Sequence, residues 1–138
     1  MRFALISSCL IGLNTKYDGT NNLRNEVVEK LKKEYILIPV CPEQLGGLPT
    51  PRNPCEIKDG KVFDIESRDF TNNFYKGAYE ALKVARFFGA DIAFLKSKSP
   101  SCGFGKVYDG SFSKRLVDGT GIAARVLAEN GIKIVCID

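Results

Sequence analysis

Histidine is absent from all 138 residues, which removes Ser-His-Asp triads, Cys-His dyads, mixed Cys/His zinc sites and histidine general bases together. Chemistry in this chain falls to Cys, carboxylate, Lys, Tyr or Ser. No CxxC pair occurs, which argues against a redox dithiol enzyme. GFGK at 103–106 lacks the spacing of a phosphate-binding GxxxxGK loop, so a metal-free phosphate cradle has weak support. Motifs of base-reading nucleic-acid modules are missing as well.

A content of 44% hydrophobic and 26% charged residues excludes the disordered and membrane-embedded classes, and the length suits one domain spanning 1–138. The opening MRFALISSCLIGL is interrupted by Ser7 and Ser8 and runs into turn residues, so it reads as a buried first strand and not a signal peptide. Five cysteines, an odd number without a secretory signal, read as reduced thiols, ligands or nucleophiles in a cytoplasmic protein. The net charge of +4 is spread among Glu-bearing segments, so no nucleic-acid partner and no membrane are expected, while an anionic small molecule stays compatible. Oligomeric state leaves no signal.

Residues 2–7, 35–40, 91–95 and KIVCI (133–137) read as buried strands. Helical spacing of apolar residues predicts helices over 22–33, 69–88 (stopped by Gly89) and 118–130. The Pro- and Gly-rich stretch 42–54 reads as a functional loop, and Glu56–Asp64, centred on Asp59-Gly60, as a peripheral hairpin. Alternating strands and helices give the class: α/β, a Rossmann-like three-layer domain with a mostly parallel sheet of four or five strands.

Ligands of open parallel sheets bind beyond the carboxyl ends of the strands, and Cys9, Cys41 and Cys102 each follow a different strand. Cys136, within the last strand, reads as a small buried hydrophobe, and Cys55 sits ahead of the hairpin. Three thiolates without histidine are too few for a closed zinc site but suit an iron–sulfur cluster with one iron left open. The alternative is that the three are unconnected core or loop thiols.

The segments SSCLIG (7–12), CPEQLGGLPTPR (41–52), LKSKSPSCGFG (95–105), YDGSF (108–112) and DGTGIAARVL (118–127) resemble the iron–sulfur-dependent thiouracil desulfidases, over nearly the whole chain, in their short single-domain form. The resemblance implies a [4Fe-4S] cluster held by Cys9, Cys41 and Cys102 with one iron not ligated by protein, and catalytic Glu43 and Ser101. Cys55 falls outside that ligand set. The implied reaction is non-redox removal of sulfur from a thiolated pyrimidine, with hydrosulfide leaving on the open iron. The substrate stays open among 2- or 4-thiouracil and related nucleosides or nucleotides, with thiolated RNA among the alternatives.

Glu43 is the candidate general base for water and Ser101 the candidate hydrogen-bond donor at the reacting centre. Arg52, Lys96 and Ser99 are the candidates facing substrate: Arg52 because its fork holds a carboxylate or phosphate, Lys96, with Lys98 and Lys106, because it flanks the Cys102 loop. The competing readings are a non-catalytic module that binds a cluster or zinc, which predicts a fourth protein ligand such as Cys55, and a nucleotide-binding α/β module without any metal.

Overall fold

The computed structural model describes residues 1–138. Strands β1 (Arg2–Ser7), β2 (Tyr35–Val40), β5 (Ile92–Lys96) and β8 (Lys133–Ile137) form one parallel sheet in the order β2-β1-β5-β8. Period-two alternation sends Ala4 and Ile6 of β1 and Ile92 and Phe94 of β5 to one face, where they pack with Val28 of α1 (Asn25–Leu31). Leu5, Ala93 and Leu95 point to the other face, under α3 (Thr71–Phe88) and α4 (Ile122–Glu129). Both faces of the central strands are thereby covered, which is why those strands read as continuous apolar runs. No helix is long and apolar enough to cross a membrane.

Small alanines at Ala78, Ala81 and Ala85 let α3 lie close to the sheet and to α4, and Gly89, with φ of 70°, closes the helix in the left-handed conformation expected of that glycine. The hairpin forms from β3 (Cys55–Lys58) and β4 (Lys61–Asp64), with positive φ at both Asp59 and Gly60 as a two-residue primed turn requires.

Two expectations need correction. Residues 118–120, expected to open a helix over 118–130, instead belong to β7 (Leu116–Thr120), which pairs antiparallel with β6 (Phe104–Tyr108) as a second hairpin. Helix α4 begins only after Gly121, because Gly119 and Gly121 weaken helix formation and the ladder with β6 satisfies the backbone instead. Cys136 is exposed, not buried: β8 is an edge strand, and at this residue no covering element shields it from solvent.

Candidate active site

β1 and β2 end level, Ser7 opposite Val40, so the chain segments that leave them begin side by side. After β1 a short 3₁₀ turn (Ser8–Ile11) carries Cys9, and its carbonyl accepts hydrogen bonds from the Gly12 and Asn22 amides. After β2, Cys41 precedes the one-turn helix α2 (Pro42–Leu45), which starts at Pro42 because a helix's first residue needs no N–H partner. Cys102 lies in the turn after β5. The same edge of the sheet thus carries all three thiols, half-buried at Cys9 and Cys41 and buried at Cys102.

Burial pushes the Cys102 thiol up to about 12; hydrogen bonds from Ser7 and Ser101 oppose the rise, and the charges of Cys41 and Cys9 add to it. Cys41 is also raised, first by burial, with the Gln44 amide working the other way. With both Cys41 and Cys102 raised, ionising these two thiols together is costly unless a cation compensates them.

Helix α2 is held down by unusually close packing. A Cβ on Gly77 of α3 would fall 1.7 Å from the Pro42 carbonyl oxygen, and one on Gly46 would fall 2.0 Å from that of Asn73. The Asn73 amide also donates to the Gly46 carbonyl at 2.9 Å. This contact brings Glu43 toward the Cys102 loop, and Ser101 Oγ donates to Glu43 Oε2 at 2.8 Å across it. Ser101 Oγ also lies 3.7 Å from Cys102 Sγ.

The Cys102 turn is fixed from two sides. Ser99 Oγ accepts from the Ser101 amide at 3.1 Å and the Cys102 amide at 3.0 Å, and stands 2.9 Å from Ser101 Oγ. From the other side the start of α4 presses in: Ile122 donates to the Pro100 carbonyl and Ala124 to that of Ser101. A Cβ on Gly121 would sit 2.6 Å from the Ser101 carbonyl carbon.

Arg52 reaches the same centre. Its Nε meets Glu43 Oε1 at 3.0 Å, with only 7% of the Arg52 side chain and 12% of the Glu43 side chain exposed. Lys96 is half-buried with its amine 3.1 Å from Ser97 Oγ. Burial lowers its pKa, the charges of Arg24 and Lys98 act the same way, and Cys9 acts against them. The structure therefore gathers Cys9, Cys41, Cys102, Glu43, Ser99, Ser101 and Arg52 around one end of the sheet, with Lys96 at the end of β5, its amine on Ser97 and its backbone amide on Ser7. Lys106 does not join them: it pairs with Asp118 across the β6–β7 hairpin. Cys55 is buried in the larger core, its thiol directed at the Asn53 carbonyl, 3.8 Å away. Burial, with the Glu43 and Asp64 charges, pushes that thiol up to about 12.

Sequence reasoning missed Thr15 and Ser7. Thr15 Oγ1 bonds Ser8 Oγ at 2.6 Å, and its carbonyl faces both Cys41 and Arg52; a backbone acceptor leaves no residue-type signal. Ser7 Oγ accepts from the Lys96 amide at 2.9 Å and ties β1 to β5. Its place among small polar residues at a strand end was the only hint.

Fold and site together define a parallel α/β protein with thiols gathered at the carboxyl ends of its strands beside a Glu–Ser pair. Residues 4–138 match the 2-thiouracil desulfurase family, and the chain belongs to that family. Membership makes it an enzyme of desulfuration, as its motifs implied. An uncharacterized protein, YbbK of Bacillus subtilis (strain 168), is 36% identical over 141 residues, covering 95% of this chain and 93% of its own. The solved structure of the [4Fe-4S]-dependent thiouracil desulfidase TudS superposes with a TM-score of 0.93 at 34% identity, over 99% of this chain and 91% of that one.

Proposed function

We propose that this chain converts a thiolated pyrimidine, 2- or 4-thiouracil or a nucleoside or nucleotide of either, to its oxo form by hydrolysis of the C=S bond. The cofactor is a [4Fe-4S] cluster held by Cys9, Cys41 and Cys102. The donor set fits: three soft thiols and no histidine suit iron–sulfur ligation with one iron open. No three Cys, Asp or Glu side chains draw together tightly enough for a single metal ion. When bound, the cluster supplies a thiophilic Lewis acid for the thiocarbonyl sulfur.

The chain's own groups do the rest. Glu43 takes a proton from water as its oxygen attacks the thiocarbonyl carbon, and returns it as the C–S bond breaks. Ser101 steers the Glu43 carboxylate by donating its hydroxyl hydrogen to Oε2. Sulfur leaves as hydrosulfide, water supplies the new oxygen, and no electron is transferred. The turn of Ser99–Cys102 and the loop leading to Arg52 border the substrate.

The observation that carries this reading is the 2.8 Å bond from Ser101 to Glu43, each next to or two residues from a proposed ligand. The test is iron and acid-labile sulfide per chain after anaerobic reconstitution, for the parent and for Cys9→Ala, Cys41→Ala and Cys102→Ala, followed by turnover of 2- and 4-thiouracil. About four irons and four sulfides in the parent, lost in each variant, support the ligand set. A parent without iron or sulfide would sink the mechanism.

A further inference from the structure

Arg52 has five N–H donors, and the structure directs every one of them at protein. Nε meets Glu43 Oε1 at 3.0 Å; Nη1 meets Thr50 Oγ1 at 2.8 Å and the Pro49 carbonyl at 3.3 Å; Nη2 meets the Thr15 carbonyl at 2.9 Å and Cys41 Sγ at 4.0 Å. The backbone of the same residue adds a sixth tether, donating to the Tyr17 carbonyl at 2.7 Å. With its side chain 7% exposed and its donors engaged, the guanidinium has no free fork for a substrate carboxylate or phosphate.

Its contact to Glu43 is one end of a chain. Arg52 occupies Oε1, so Oε2 is left to Ser101. Ser101 has one hydroxyl hydrogen, and donating it to Oε2 leaves its lone pairs to accept from Ser99 Oγ, 2.9 Å away. Ser99 in turn accepts from two backbone amides, which leaves its own hydrogen free to point at Ser101. The donors thus run in one direction, from Ser99 through Ser101 to Glu43, and the run ends on a carboxylate whose other oxygen is clamped by a planar, rigid cation.

We propose that Arg52 is a positioning residue that acts through Glu43: its guanidinium sets the rotation of the carboxylate so that Oε2 faces Ser101 and the substrate-side oxygen geometry is held before substrate arrives. This rests on the desulfidase reading and assigns Arg52 a role other than substrate contact. A lysine keeps the charge but not the fork, so it does not restore the clamp.

The test uses the full chain, reconstituted, as Arg52→Gln, Arg52→Lys, Glu43→Gln and the double variant Arg52→Gln/Glu43→Gln. Expected for Arg52→Gln is an iron and sulfide content equal to the parent, a kcat about a hundredfold lower for a misplaced catalytic group, and little change in KM. The double variant is expected to turn over no more slowly than Glu43→Gln alone, because a residue acting only through Glu43 has nothing further to lose. A crystal structure of the Arg52→Gln chain is expected to show the Glu43 carboxylate turned away from Ser101. A raised KM at unchanged kcat would make Arg52 a substrate anchor and overturn the proposal. Loss of iron would make it a brace for the Cys41 loop, with the same consequence. An unchanged Glu43–Ser101 contact in the variant structure also overturns it, and does so even if the parent fails to desulfurate thiouracil, so the two readings fail separately. If Arg52→Gln does not fold, Arg52→Lys reads the same distance.

Discussion

Glu43 has both carboxylate oxygens engaged, Oε1 by Arg52 and Oε2 by Ser101, on a side chain that is 12% exposed. Glu43→Gln keeps the shape but cannot accept a proton, so turnover is expected to fall by about 10²–10⁴ while iron content is unchanged. A variant within threefold of the parent rate would take Glu43 out of the chemistry. Ser101→Ala removes a buried donor and is expected to cost about 10² in kcat, read by the same steady-state assay. Away from the site, Asp64 is fully buried. Burial alone would raise its pKa, but hydrogen bonds from the Arg68 backbone and guanidinium and from Asn53 outweigh that and hold it below the ordinary 3.8. A carboxyl depressed in the folded state stabilises the fold fully above its unfolded pKa and loses that contribution as pH falls through the folded one. Urea midpoints are therefore expected to drop below about pH 4, with Asp64→Asn less stable at pH 7 and its deficit shrinking in acid. A pH-independent deficit would show that the charge is not what Asp64 contributes.

Helix α2 shows what an element depends on here: its Pro42 and Gly46 backbone rests directly on Asn73 and Gly77 of α3. Gly77→Ala places a methyl 1.7 Å from the Pro42 carbonyl oxygen, so α2 must lift, at a cost of about 3 kcal/mol or more for overpacking. Thermal melts and iron content are both expected to fall, since Cys41 and Glu43 travel with α2; a fully loaded variant of parent stability would contradict this. The close approach could not be read in advance, because a glycine within an apolar helix pattern says nothing about which backbone it meets. Strands were far more legible. RFALIS and YILIPV fall on β1 and β2 residue for residue: β1 is a central strand buried on both faces at Ala4–Ser7, while β2, an edge strand buried only at Val40, is marked by its β-branched run and the Cys41-Pro42 stop. The β6–β7 hairpin was not legible: FGKVY and LVDGT are short, glycine-containing and mostly exposed, so neither period stands out. The neighbourhood of Cys9, Cys41 and Cys102 could be expected from topology alone, because each follows a parallel strand; the Arg52–Glu43 pair could not, because an irregular loop carries no periodicity to place its side chains.

At the scale of the molecule, the thiols come from loops that leave β1, β2 and β5 and lie far apart in the chain, so a group that binds all of them binds the folded state and not the unfolded one. Loading is then expected to stabilise the whole fold, by about 4 kcal/mol at a thousandfold excess over the dissociation constant. For a chain of 138 residues that corresponds to a rise of roughly 14 °C in Tm. Calorimetry of the parent before and after anaerobic reconstitution measures the increment, and each of Cys9→Ala, Cys41→Ala and Cys102→Ala is expected to abolish it. Cys136→Ser supplies the contrast: that thiol is exposed on the edge strand, so its loss should leave the increment whole. Retention of the increment in Cys9→Ala would mean that the first strand's loop does not share in holding the group, and the ligand set would have to be redrawn around Cys41 and Cys102.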